Sequence, residues 1–102
     1  MSRPFSYNDE NFTVINNILF VHLNIGSKSY AKDDVLIAIP PKLFDRMVSF
    51  SQYAYGSALT YNGSGVNMYV ACDEYGNLLT KEVIPSATND RLMYTWFLLK
   101  DI

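Results

Sequence analysis

The sequence predicts an all-β fold, a small antiparallel β-barrel or sandwich of seven to eight short strands. Its apolar stretches are strand-length and rich in β-branched and aromatic residues. Clusters of Asn, Asp, Gly, Ser and Pro separate them, the residues that tolerate or impose turn geometry. No sustained helical period of apolar residues develops along the chain. At 102 residues there is room for one domain and no more. Such a domain buries only about two-thirds of its unfolded surface, so oligomerisation is a common remedy for its thin stability.

Residues 1–11 are polar, carry Pro4, Asn8, Asp9 and Asn11, and read as a lead-in or linker to a β domain over 12–102. FTVINNILFVHLNI then gives two strands around Asn16-Asn17, because Asn tolerates the positive φ of a tight hairpin turn. Over residues 18–25 one face carries Leu19, Val21, Leu23 and Ile25, and the other Ile18, Phe20, His22 and Asn24. Both faces begin apolar, so this strand is expected to be covered on both sides for part of its length.

GSKSYAKDD is a loop. The apolar run 35–39 reads as a strand buried on both faces, or one closing a barrel. It must end at Pro40-Pro41, since proline has no N–H to give a ladder. A helix over 41–47 is expected to last one turn at most. RMVSFSQYAYG alternates, with Val48, Phe50 and Ala54 on one face and Ser49, Ser51, Tyr53 and Tyr55 on the other. Residues 57–84 read as three short strands joined at Asn62-Gly63-Ser64-Gly65 and Asp73-Glu74-Tyr75-Gly76-Asn77. After the loop PSATND, RLMYTWFLLK is a last strand, apolar on both sides.

The formal charge of −2 and the lack of a basic patch disfavour nucleic-acid binding. Apolar runs fall short of the roughly 18 residues a spanning helix needs, so no membrane insertion is expected. The first residues lack the apolar core of a signal peptide, which predicts synthesis in a cytoplasm. Cys72 is the only cysteine, so no internal disulfide or thiolate cluster can form. Its alternation with Val70 and Met68 makes it a small buried hydrophobe.

Five segments in order, INNILFVHLNI, DDVLIAIPPKLF, RMVSFSQYA, VNMYVACDEYGNLLT and RLMYTWFLL, resemble the head domain of tail-fibre and receptor-binding proteins of phages infecting Gram-positive bacteria. The resemblance runs from about Val14 to Leu99. AIPPKLFDR departs from it in lacking a second proline after the aromatic. What the resemblance implies is a homotrimer at the phage tail tip or baseplate, contacting other virion proteins and binding host cell-wall saccharide. A structural trimerisation or docking domain without a saccharide site is the alternative.

The candidate saccharide-binding residues are Trp96, Tyr53, Tyr55, Asp90, Arg91 and His22. Trp96, the only tryptophan, is either a stacking platform for a sugar ring or part of a core or trimer interface. Tyr53 and Tyr55 either line a shallow groove or cover a neighbouring protomer. Asp90 and Arg91 suit charge-assisted hydrogen bonds to hydroxyls or a glycerol-phosphate, or form ordinary turn polarity. His22 can bond a ligand hydroxyl or simply pack. No catalytic constellation or phosphate cradle is evident, and no cofactor or metal is expected: one His and one Cys lie far apart, and adjacent acidic pairs on a strand would point to opposite faces. A binding protein is therefore expected rather than an enzyme.

Overall fold

The structure, a computed structural model, describes residues 5–47, 53–59 and 65–100, with only the backbone described for 53–59 and 65–68. The strands are β1 (Tyr7–Asn8), β2 (Phe12–Ile15), β3 (Ile18–Gly26), β4 (Val35–Ala38), β5 (Tyr53–Leu59), β6 (Gly65–Cys72), β7 (Asn77–Thr80) and β8 (Arg91–Leu98), with one helical turn, α1 (Pro41–Phe44). Every pairing is antiparallel, in the order β1-β2-β3-β8-β5-β6-β7-β4.

Asn16 and Asn17 both have positive φ, 52° and 63°, and close the β2–β3 hairpin with Ile15 opposite Ile18. That is the primed turn expected of the pair. Residues 7–8, read as lead-in, form β1 instead and pair with β2. The cause is Asp9, whose Oδ1 accepts the N–H groups of Asn11 and Phe12 at 2.8 Å each and turns the chain back. Phe5 and Tyr7 then pack on the core, and the Arg46 guanidinium lies 3.8 Å from the centre of the Phe5 ring.

The strand expected to be buried on both faces or to close a barrel, β4, is the last in the order and, among the described residues, pairs only with β7. Val35 and Ala38 are exposed. A strand that runs into two prolines suits an edge, where missing donors cost little. Ile39 beyond it is buried, and its N–H reaches the Gly76 carbonyl at 2.8 Å. Pro41 then takes the first helical position, and the Pro40 carbonyl accepts the N–H groups of Leu43 and Phe44. Leu43 is fully buried under this turn.

Gly56 lies inside β5 opposite Met68. β5 pairs with β6 along its whole length and with β8 over Ser57, Ala58 and Leu59. β5 is thus the corner of the sheet. On one side stand β1, β2, β3 and β8, and on the other β6, β7 and β4. Their inward side chains form one cluster: Phe12, Val14, Leu19, Val21, Met93 and Phe97 from the first half, Val70, Cys72 and Leu78 from the second. The arrangement is a sandwich. Closing it into a barrel would need β1 bonded to β4, and no such pairing occurs among the described residues. Cys72 lies in the core with its Sγ 3.6 Å from the Met47 Sδ, and burial pushes its pKa up to about 12. The alternation expected over 48–52 and the turn at 62–64 fall outside the described residues.

Replacing both Pro40 and Pro41 with Ala is expected to cost about 1 kcal/mol, through the freedom the unfolded chain regains. Urea unfolding measures it, and an unchanged midpoint would make the prolines incidental.

Candidate functional site

β8 alternates along its whole length. Arg91, Met93, Thr95 and Phe97 are buried, while Leu92, Tyr94, Trp96 and Leu98 are exposed. Directly cross-strand residues share a face. The β3–β8 register therefore sets Ile18, Phe20, His22 and Asn24 beside Leu98, Trp96, Tyr94 and Leu92. Ile15 continues the row across β2. This outer face has two unlike ends.

At the Leu92–Tyr94 end lies a hollow of about 180 Å³ lined by Glu10, Asn11, His22, Leu23, Asn24, Leu92 and Tyr94. Its two side-chain amides are held in place. The Asn11 Nδ2 donates to the His22 carbonyl at 3.1 Å, and the His22 N–H donates to the Asn11 carbonyl at 2.9 Å. The Asn24 Oδ1 accepts the Gly26 N–H at 2.8 Å, and its Nδ2 donates to Asp90 at 3.2 Å. Asp9 holds the turn that carries Asn11, accepting the N–H groups of Asn11 and Phe12. The Asn11 N–H holds its pKa below the ordinary carboxylate range, opposed by desolvation and helped by the Phe12 N–H, Tyr7 and His22. Such a hollow offers one aromatic wall, an imidazole and oriented amides, a set suited to a polyol.

At the other end Ile15, Phe20, Trp96 and Leu98 are exposed, with no charged side chain between them among the described residues.

Of the residues singled out from sequence, His22 lines the hollow and Asp90 stands at its end through Asn24. Trp96 is 52% exposed but lies at the apolar end, opposite Phe20. Arg91 turns the other way. It is 3% exposed, and its Nε and two terminal nitrogens donate to the carbonyls of Gly26, Pro85 and Lys28 at 3.1, 2.7 and 2.7 Å. Its donors are committed to holding two loops together. Tyr53 and Tyr55 lie in β5, with Tyr55 opposite Tyr69 and their side chains outside the described residues. Sequence reasoning missed Tyr94, Glu10, Asn11 and Asn24. Tyr94 was within reach, being two residues from Trp96 on the same strand face. Glu10 and Asn11 reach the hollow only because Asp9 reverses the chain.

Among the described residues no group of His, Cys, Asp and Glu could hold a metal ion, and no helix is long and apolar enough to cross a membrane. No family model, curated protein or solved structure matches the chain.

Arg91→Met should destabilise the domain by about 3 kcal/mol, because it removes charge-assisted bonds and strands the carbonyls that accepted them. Urea unfolding checks this, and a loss below about 1 kcal/mol would contradict the clamp.

Asp9 gives a pH dependence. Its folded pKa is depressed, so its contribution is fully present above the ordinary carboxylate value and is lost as pH falls through the lower folded value. Taken from about pH 6 to about pH 2, the melting temperature of the wild type should fall more steeply than that of Asp9→Asn. Parallel curves would refute it.

Proposed function

We propose that the chain is a phage receptor-binding domain that recognises cell-surface saccharide of a Gram-positive host, acting as a homotrimer among other tail or baseplate proteins. The observation that carries the reading is Tyr94, half exposed in the wall of a hollow whose other groups are an imidazole and fixed amides. The apolar face of a sugar ring stacks on such a ring, while its hydroxyls bond His22, Asn11, Asn24 and Glu10. Asp90 orients Asn24. Sugar hydroxyls are already well solvated, so a single shallow site gains little net free energy. Copies in one assembly, and assemblies on one virion, turn weak contacts into firm attachment. The domain binds and does not catalyse.

The alternative, a structural trimerisation or docking domain, is favoured by one observation, the apolar end around Trp96.

Binding of the purified chain to host cell walls tests the reading. Tyr94→Ala and His22→Ala should each weaken it about tenfold, the equivalent of about 1.4 kcal/mol, with circular dichroism unchanged. A wild-type chain that ignores the walls and polysaccharides of every Gram-positive host tried would hand the case to the structural alternative. Tight binding that survives in both folded variants would move the site elsewhere, with Tyr55 the next residue to replace.

A further inference from the structure

A sheet that packs one face on its core ordinarily turns polar side chains outward. β8 does not. Its inward row contains Arg91 and Thr95, whereas its outward row, Leu92, Tyr94, Trp96 and Leu98, is entirely large and apolar or aromatic. Around Trp96 the row widens through Phe20 and Ile18 of β3 to Ile15 of β2. Ile15, Phe20, Trp96 and Leu98 are 54, 38, 52 and 48% exposed, and with half-buried Ile18 they form one contiguous apolar patch. Its area is on the order of 500 Å², in the upper part of the roughly 300–600 Å² that the largest patch of a monomer reaches and more than half of the roughly 800 Å² that a stable pair buries per partner.

We propose that this end of the outer face is where a second copy of this chain packs, with Trp96 at the centre of the contact. The inference rests on the self-assembly in the proposed function and is independent of its saccharide. The surface lies on β3 and β8, in the interior of the strand order, so a partner cannot extend the sheet there by adding a strand. It must lay a face across it, as two sheets do at about 10 Å. Among the described residues the patch itself holds no charged side chain; exposed Lys100 lies two residues beyond Leu98 at its border. A strongly charged partner finds nothing to pair with inside the patch, whereas an identical apolar patch does not need to. A second copy supplies that patch, and its area is more than half of the roughly 800 Å² that a stable contact needs per partner. The hollow at the Tyr94 end stays at the rim, open to ligand.

Trp96, the only tryptophan, makes the contact directly readable. Light scattering on the full chain should give a multiple of the 11.6 kDa chain mass. In that assembly Trp96 emission should be blue-shifted and shielded from acrylamide, and dilution should reverse mass and shielding together. Leu98→Asp should weaken self-association at least tenfold, with the circular dichroism spectrum kept. A wild-type monomer at every concentration overturns the inference. So does an assembly whose Trp96 stays open to quencher, a measurement that needs no variant to fold. Cell-wall binding is measured on the same samples. An assembly with shielded Trp96 that binds no wall keeps the interface and defeats the saccharide reading, and a wall-binding monomer does the reverse.

Discussion

The β3–β8 ladder is the constraint on which the rest of the molecule depends. It runs from Ile18 opposite Leu98 to Gly26 opposite Arg91. The segments it joins are far apart in sequence; the Asn24–Asp90 bond spans 66 positions. Without it the β2–β3 hairpin and the β5–β6–β7 meander have no shared core. Side chains alternate with period two, so a slip of one residue would exchange the two faces of β8. Both of its rows are largely apolar, and a slipped strand would bury Leu92, Tyr94, Trp96 and Leu98 in place of Met93 and Phe97. Hydrophobicity therefore distinguishes the two registers poorly. Arg91 distinguishes them well, because only the observed register brings its guanidinium to the Gly26, Lys28 and Pro85 carbonyls. The irregularity between Asn24 and Gly26 lets that end of the ladder adjust to the clamp.

The clamp also arranges what lies beside the hollow. Arg91 joins the chain after β3 to the chain before β8. Tyr30 adds to the same seam with its hydroxyl on the Ile25 carbonyl at 2.6 Å and backbone bonds to Ile84 in both directions. Ala87 donates to Ser27 across it at 2.8 Å. Asp90 is thereby fixed next to Asn24, and Asn24 next to Tyr94's end of the face. A buried cation held by carbonyl dipoles thus orders an exposed carboxylate one residue away, on the opposite side of the sheet.

Features set by neighbouring residues were legible in the sequence. Asn16-Asn17 gave its turn, Pro40-Pro41 ended its strand, and Cys72 was assigned to the core by alternation alone. The features that escaped depend on tertiary pairing. Two apolar faces on 35–39 suggested burial, yet strand order made it an edge. Arg91 stood with Asp90 at a loop edge, and its value as a ligand group vanished once three distant carbonyls claimed it. The hollow combines β1–β2, β3 and β8, and no short motif encodes such a meeting. The apolar excess on β8, by contrast, was visible as composition; what sequence could not supply was which of its rows faces out.

One strand face carrying both an apolar patch and a polar hollow has a mechanical consequence. β8 is hydrogen-bonded on β3 along its length and on β5 at its start, so the backbone positions from which its side chains project are fixed relative to one another. Tyr94 and Trp96 stand two residues apart on it, roughly 7 Å along the strand. If copies join through the Trp96 end, the distance and orientation between their hollows follow from the strand itself, with no linker in between. The effective concentration of a second site then depends on geometry and not on chain flexibility, and it is greatest for a polymer whose repeat matches that spacing. A weak individual site becomes an advantage in such an arrangement. Contacts break singly and re-form while the others hold, and discrimination between surfaces comes from repeat spacing as much as from the chemistry of one ring.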